Sequence, residues 1–378
     1  MEIYLDANAT TALSPTACRA LFDLLEGGVF NPSSAHGAGA KAREILERAR
    51  SSIASALGDV DFENVIFTSG GTEGNNIVTG GFSSLPNVRI LFSAVEHASV
   101  ALPARAAGGV MIDVDSRGIV DVEGLLSLLS DVPLETRTLV CIQAANSETG
   151  ILQPLGEIAT ELRKSREGVY LLVDAAQAFG RTTFDASAFD AVTFSGHKLH
   201  APLGTGFVYL SDRLREILPA WTLGGGQEHG VRPGTQNVPG AAALAAAVNE
   251  RMSNFSWAVA RLATLRNMLE NGVLSSVPGT YVVGAKSPRV PNTTNICFPS
   301  QDAQSLMARL DTDGVMCSIG SACSSARPEA SPVLKAMGMS ERQASRCLRF
   351  SVSIMNSEEE IKEAIRIIAR CAENGTAA

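Results

Sequence analysis

The sequence lacks long hydrophobic runs: no stretch of about 18 apolar residues, the length a membrane-spanning helix needs, occurs in its 378 residues. Residues 1–6 also lack the basic start and apolar core of a secretory signal peptide. Basic residues are in the minority, since 31 Lys and Arg against 39 Asp and Glu give a formal net charge of -8. We therefore expect a cytoplasmic protein with no membrane contact and no direct nucleic-acid contact.

Closely spaced cysteine pairs are missing as well. The 7 cysteines are scattered and none forms a CxxC pair, which argues against a zinc site or a disulfide framework. Most of them are expected to be small buried residues. Cys323 differs because residues 319–326 are small and polar, with too little apolar content for a core strand or helix. The sequence predicts an accessible thiol there.

Short apolar runs alternate with helical stretches over much of the chain, which has the 45% hydrophobic content of an ordinary globular enzyme. Short apolar strands are typical of a sheet that is buried on both faces, and intervening helices favour parallel βαβ units. The predicted strands are residues 65–68, 89–92, 110–113, 139–142, 169–173, 191–194 and 206–210. The fold class predicted is therefore α/β with a mostly parallel central sheet.

The C-terminal third has a different, α+β pattern. It is predicted to contain a helical stretch at 237–271, strands at 281–283 and 295–298, a helix at 303–310, a strand at 347–351 and a helix at 358–372. Because 378 residues exceed the size at which one core stops growing, we expect two domains. The large domain is predicted to comprise 15–255, and the small domain 1–14 together with 256–378.

An acid and an amine follow two of the predicted strands. Asp174 ends the run 169–173, and Lys198 follows the run 191–194 in the motif Ser195-Gly196-His197-Lys198. Ligand sites in parallel sheets form at the carboxyl ends of strands. Pyridoxal phosphate needs a lysine to hold its aldehyde and a carboxylate to keep its ring nitrogen protonated. The pair therefore indicates this cofactor, although Asp174 alone could cap a helix and Lys198 alone could be a solvated charge.

Two other loops after strands suit such a cofactor. Residues 68–76 form a Gly-rich turn before a helix, whose free amides would attract a phosphate close to Gly71 and Thr72. The glycine spacing matches neither a dinucleotide fingerprint nor a P-loop. His97 follows another strand and could stack on a flat ring or move protons. A tight strand-to-helix connection and a structural hydrogen bond are the alternative interpretations.

Two further residues are candidates for binding a carboxylate. Asn146 lies in the loop 146–150, which is rich in hydrogen-bonding side chains but could also be a simple turn. Arg349 lies in an apolar run, where an unpaired guanidinium would be costly, so we expect it to bind a carboxylate. A structural salt bridge would satisfy Arg349 equally well.

Taken together, these motifs resemble the pyridoxal-phosphate-dependent cysteine desulfurases of the NifS/IscS type, in the class-V aminotransferase family. The resemblance covers nearly the whole chain and includes the motifs YLDANATT at 4–11, NPSS at 31–34, GGGQE at 224–228 and RPGT at 232–235. It implies a fold-type I pyridoxal-phosphate-dependent transferase, normally a homodimer with its active sites at the subunit interface.

Carried over by position, the resemblance gives each candidate a role. Lys198 would be the Schiff-base lysine, Asp174 the partner of the ring nitrogen and Gln177 a donor to the ring phenolate oxygen. His97 would stack on the ring and take part in proton transfer. The phosphate would be held by Gly71, Thr72, Ser195, His197 and, from the partner subunit, Thr235. Asn146 and Arg349 would bind the substrate carboxylate, and Cys323 would be the sulfur-accepting nucleophile.

The implied activity converts L-cysteine to L-alanine, with the sulfur held as a persulfide on Cys323 and passed to an acceptor or carrier protein. A related aminotransferase or selenocysteine lyase would use the same lysine and aspartate. A non-enzymatic sulfur-transfer scaffold would need no cofactor. Iron-sulfur cluster assembly, tRNA or DNA thiolation and thiocofactor synthesis stay open as destinations of the sulfur.

Overall fold

The computed structural model describes residues 2–320 and 330–374. Its strands are β1 (Ile3–Tyr4), β2 (Val65–Thr68), β3 (Val88–Ser93), β4 (Val110–Ile112), β5 (Arg137–Gln143), β6 (Val169–Asp174), β7 (Ala191–Ser195), β8 (Gly206–Leu210), β9 (Tyr281–Val282), β10 (Thr293–Cys297), β11 (Val315–Met316) and β12 (Cys347–Ser351). Its α-helices are α1 (Pro15–Gly27), α2 (Gly37–Ala56), α3 (Gly71–Ser83), α4 (Ala98–Ala106), α5 (Val122–Ser130), α6 (Leu155–Ser165), α7 (Asp212–Arg215), α8 (Val238–Ser253), α9 (Phe255–Ser276), α10 (Ala303–Thr312), α11 (Pro332–Ala336), α12 (Glu341–Ala344) and α13 (Glu358–Asn374).

A 7-stranded sheet in the order β2-β8-β7-β6-β5-β3-β4 organises the N-terminal two thirds of the chain. Strand β8 is antiparallel to both of its neighbours, and the other adjacent pairs are parallel. The sheet is buried on both faces: α1, α2, α5, α6 and α8 supply the apolar cluster on one face, and α3 and α4 supply the cluster on the other. The predicted α/β fold with a mostly parallel central sheet is confirmed.

The C-terminal part packs around a second, antiparallel sheet in the order β12-β10-β9. Helices α9, α10 and α13 cover one face of this sheet with apolar side chains. The first strand of the chain joins this part, because β1 pairs with β11 and the side chains of Ile3 and Leu5 enter the same core. The domain boundaries at 14/15 and 255/256 stay a prediction.

The helical stretch predicted for residues 237–271 is present as two helices, α8 and α9, which meet at Asn254. The Asn254 backbone leaves the helical region, with φ -116° and ψ 22°. Its side-chain amide donates to the Glu250 carbonyl at 3.0 Å. Asparagine competes for backbone hydrogen bonds in this way and so closes α8.

Among the described residues, the helices are too short or too polar for any of them to cross a membrane.

Candidate active site

A cavity of about 210 Å³ lies at the carboxyl ends of β2, β3, β5, β6 and β7. Parallel strands place their C-terminal loops at one edge of a sheet, which is why residues far apart in the sequence meet here. The predicted residues that line it are Gly71, Thr72, His97, Asp174, Gln177, Ser195, His197, Lys198 and Arg349.

Lys198 lies in a short 3-10 turn that follows β7. Its Nζ donates to the backbone carbonyls of Asn8 and Ala9, at 2.6 and 2.7 Å. The amine of this catalytic candidate is therefore directed by the N-terminal segment rather than by its own loop.

Asp174 ends β6 and is buried. Its Oδ1 accepts from the Ala176 amide at 2.9 Å, and its Oδ2 accepts from Asn75 Nδ2 at 3.0 Å. Asn75 belongs to α3 and is fully buried, and its Oδ1 accepts from Thr193 Oγ1 at 2.6 Å. These contacts hold the carboxylate in one orientation at the cavity wall.

His97 caps the N-terminus of α4. Its Nδ1 accepts from the Ser99 amide at 3.1 Å, which leaves the proton of a neutral ring on Nε2. Burial lowers the pKa of His97, and the nearby Lys198 lowers it further, whereas Asp174 opposes the shift. The ring therefore lines the cavity as a neutral imidazole near pH 7.

The start of α3 forms a subsite suited to an anion. No side chain caps this helix, and the Gly71 amide donates to Ser195 Oγ at 2.7 Å. A Cβ added at Gly71 would lie 3.0 Å from the same oxygen, so the close approach favours glycine. His197 lies nearby, and its Nδ1 shares a hydrogen bond with Thr10 Oγ1 at 3.1 Å. Burial, aided by Lys198, lowers the pKa of His197 to about 4.

Arg349 extends from β12 into the cavity wall. A structural salt bridge is present, because Nη2 lies 2.5 Å from Asp6 Oδ1, and Nη1 donates to the Ser147 carbonyl at 3.1 Å. Its Nε is buried and has no hydrogen-bond partner. The residue nevertheless lines the cavity, so its guanidinium is the candidate there for a carboxylate partner.

Comparison with known proteins assigns the family. Residues 3–363 match the family model described as aminotransferase class-V. The chain belongs to the aminotransferase class-V family. Cysteine desulfurase 2 of Trichormus variabilis is 37% identical to it, over 97% of this chain and 92% of the relative. Cysteine desulfurase NifS of Azotobacter vinelandii is 33% identical, over 97% and 91%. The X-ray structure of a NifS-like protein from Rickettsia africae matches with a TM-score of 0.89 at 32% identity, covering 99% of this chain and 100% of that one.

Pyridoxal phosphate is the cofactor of the class-V aminotransferases, and the residues present fit it. The cavity combines an amine, a buried carboxylate and an uncapped helix N-terminus beside a serine hydroxyl. These are the groups required by an aldehyde, a pyridine nitrogen and a phosphate.

Two of the described residues assigned to this site, Asn146 and Thr235, do not line the cavity. The Asn146 amide is already in use: Nδ2 donates to the Val95 carbonyl of a neighbouring loop at 3.1 Å, and Oδ1 accepts from the Glu148 and Thr149 amides of its own loop at 2.9 Å each. The neighbouring Ser147 lines the cavity instead. Thr235 is exposed outside it, and Cys323 lies outside the described residues.

The sequence reasoning missed Asn8, which connects the site to the small sheet. Its side chain bonds Thr293 at 2.9 Å and Arg181 at 3.0 Å, and its backbone carbonyl accepts from Gln177 at 3.1 Å. Arg181 is buried and also donates to the Lys198 carbonyl at 3.1 Å. Burial lowers the pKa of Arg181 to about 9. The motif at 4–11 contains Asn8 and could have indicated its importance, but it entered the sequence analysis only as part of the family resemblance.

Glu96 was also missed, although it precedes His97. Its buried carboxyl accepts from the Gln143 amide at 2.7 Å through Oε1, and its Oε2 has no partner. Burial raises the pKa of Glu96 well above its ordinary value, and Asp174 contributes to the shift. Burial thus favours the protonated form of this carboxyl next to the cavity.

Proposed function

We propose that this chain is a pyridoxal-phosphate-dependent cysteine desulfurase, which converts L-cysteine to L-alanine and takes the sulfur as a persulfide on Cys323. The observation that carries the proposal is the cavity shared by Lys198, Asp174 and Arg349. An amine, an acid and a partly unpaired guanidinium suit an amino-acid substrate. The similarity to proteins named cysteine desulfurase supports cysteine as that amino acid.

Different residues lining the cavity would hold different parts of the cofactor. Lys198 would bind its aldehyde, Asp174 would keep its ring nitrogen protonated and Gln177 would donate to its phenolate oxygen. Gly71, Thr72, Ser195 and His197 would bind the phosphate. When bound, pyridoxal phosphate supplies a sink for the electrons released at the substrate α-carbon.

Proton transfer depends on Lys198 and His97. Lys198 takes the α-proton, and the carbonyls of Asn8 and Ala9 then stabilise the resulting ammonium by accepting its hydrogen bonds. Only a thiolate attacks sulfur, so the Cys323 thiol must lose its proton, either to the substrate itself or to His97 Nε2 once that nitrogen has given up the proton it carries at rest. Arg349, which lines the cavity, is the proposed partner of the substrate carboxylate. Asn146 would join it by giving up its hydrogen bond to the Val95 carbonyl.

Sulfur transfer is assigned to Cys323. Its thiolate attacks the substrate sulfur, so that an S–S bond forms while the C–S bond breaks and its electron pair stays with the carbon that becomes alanine. The persulfide then passes to an acceptor or carrier protein. We further propose a cytoplasmic homodimer in which Thr235, exposed here, reaches the phosphate site of the partner subunit.

The decisive experiment incubates the purified holoenzyme with L-cysteine and measures alanine, sulfide and protein persulfide by mass spectrometry. We expect equimolar alanine and sulfide when a thiol reductant is present, and a persulfide on Cys323 when it is absent. Cys323→Ser should keep the visible cofactor absorbance but lose both sulfur products. Cys317→Ser is the matched control, because burial raises the pKa of that nearby thiol and makes it a poor nucleophile. Full turnover by Cys323→Ser, or a keto acid as the main product, would contradict the proposal.

A further inference from the structure

Two cysteines that are far apart in the sequence lie directly opposite each other in the small sheet. Cys297 ends β10 and Cys347 begins β12, and the two are register partners in this antiparallel pair. Both side chains are buried, with exposed fractions of 1% and 2%. Both thiols donate to the same acceptor, the Gln343 carbonyl, at 3.9 and 3.3 Å.

The backbone hydrogen bonds between β10 and β12 show which type of antiparallel pair Cys297 and Cys347 form. The Phe298 amide donates to the Arg346 carbonyl at 2.8 Å, so the neighbouring pair, Cys297 and Cys347, is a non-hydrogen-bonded one. Opposite residues of this kind have Cα atoms about 4.5 Å apart. A disulfide needs roughly 4.4–6.8 Å. The Cα atoms of Cys297 and Cys347 are therefore at a separation that a disulfide between them allows.

The electrostatics favour one thiolate in the pair. The Cys347 thiol is within hydrogen-bonding reach of Cys297 as well as of the Gln343 carbonyl, and its interaction with Cys297 lowers the pKa of Cys297. Burial opposes this shift, whereas Tyr281 and Arg346 add to it. The interaction between the two thiols raises the pKa of Cys347, which thus keeps its proton. Tyr281, the register partner of Cys297 on β9, is 40% exposed, so the pair lies one strand away from the solvent-exposed edge of the small sheet.

We propose that Cys297 and Cys347 are a redox-reactive dithiol pair that closes into a disulfide across β10 and β12 when treated with a hydroperoxide. The Cys297 thiolate attacks the peroxide oxygen and becomes a sulfenic acid, releasing hydroxide from hydrogen peroxide. The Cys347 sulfur then displaces the sulfenic oxygen as water and the S–S bond forms. Overall, two thiols lose two protons and two electrons, and one hydrogen peroxide becomes two water molecules.

The position of the pair connects it to the substrate arginine. Cys347 and Arg349 lie on the same face of β12, because side chains alternate along a strand. The pair packs against Val333, Leu334 and Met337, in and just after α11. The modification would therefore covalently join the two strands beside the active-site wall. The proposal stands independently of the desulfurase activity, because it concerns the thiols alone.

Peptide mapping tests the proposal on the unaltered holoenzyme. The protein is treated with a stoichiometric series of hydrogen peroxide, denatured with iodoacetamide present, digested and analysed by mass spectrometry. We expect a cross-linked peptide pair containing Cys297 and Cys347, lighter by two hydrogens and lost after dithiothreitol. Cys141 and Cys371 are internal controls: they are also buried, but they lie beside Glu96 and Asp313 and should stay alkylatable.

Variants sharpen the interpretation. Cys297→Ser and Cys347→Ser should each abolish the cross-linked peptide, and unchanged cofactor absorbance would report correct folding. The inference is overturned if both thiols of the unaltered protein stay fully alkylated across the peroxide series. It is equally overturned if either one pairs with a different cysteine.

Discussion

Asn75 Nδ2 donates to Asp174 Oδ2 at 3.0 Å, while Asn75 Oδ1 accepts from Thr193 Oγ1 at 2.6 Å. The Asp174 carboxylate, which the sequence indicated as a cofactor ligand, is thus oriented by Asn75 of α3, and Asn75 is itself held by Thr193 of β7. We expect Asn75→Ala to weaken cofactor binding and to lower stability by about 1–3 kcal/mol, because it leaves buried polar groups without partners. Urea unfolding and a cofactor titration followed by absorbance measure the two effects.

Asn76→Ala is the matched control for this variant, because the Asn76 side chain bonds only the Thr72 carbonyl of its own helix. It should lower stability by less than Asn75→Ala does. Equal losses in the two variants would refute a special role for the contact with Asp174.

Arg349→Lys removes the donor Nε while keeping a positive charge beside Asp6. A hydrogen bond to a charged group contributes about 1.5–3 kcal/mol, so we expect KM for L-cysteine to rise by about 10- to 100-fold. Steady-state kinetics at saturating cofactor measure this change. Arg346→Lys, at the position just before β12, is the control: Arg346 bonds the Pro299 carbonyl and is not part of the cavity lining, so this variant should leave KM near the parental value. A parental KM in Arg349→Lys would mean that the arginine is purely structural.

His200 predicts an acid-dependent loss of stability. Burial lowers its pKa from 6.5 to about 4, so the unfolded chain binds more protons between these two values than the folded one does. Stability therefore rises with pH through this window and is lost as the pH falls. The contribution of His200 is about 2 kcal/mol between pH 8 and pH 5. His200→Asn, which tolerates the positive φ of 65° at this position, should flatten the urea-midpoint profile between pH 5 and 8. A profile as steep as that of the parent would contradict the assignment.

Glu96 predicts the opposite pH dependence, a loss of stability as the pH rises. Because its pKa is raised in the folded state, the folded chain retains a proton that the unfolded chain releases, and stability falls as the pH rises above the ordinary glutamate value. Glu96→Gln keeps the shape and the acceptor for the Gln143 amide without this proton linkage. We expect the variant to gain stability relative to the parent on going from pH 5 to pH 8, as measured by thermal melts. A constant difference between the two proteins would exclude a protonated Glu96.

Much of this molecule was predictable from local pattern. The strands β2, β8 and β12 begin and end at the predicted residues, because short apolar runs bounded by turn residues are local signals. Asp174 and Lys198 could be placed in one site since parallel strands share a carboxyl edge. The break at Asn254 was not predictable with the same ease, because a single polar residue within a helical pattern is ambiguous.

The sequence by itself determined the fold class, the family resemblance and the acid and amine of the cofactor site, because each depends on residue type and on spacing within one or two elements. Only the tertiary structure decided that Asp6 pairs with Arg349, that the Asn8 carbonyl directs Lys198 and that Cys297 faces Cys347. These contacts join residues that are far apart in the chain. They follow from strand register and from the course of the N-terminal segment past Lys198 and β12, and neither has a local signature in the sequence.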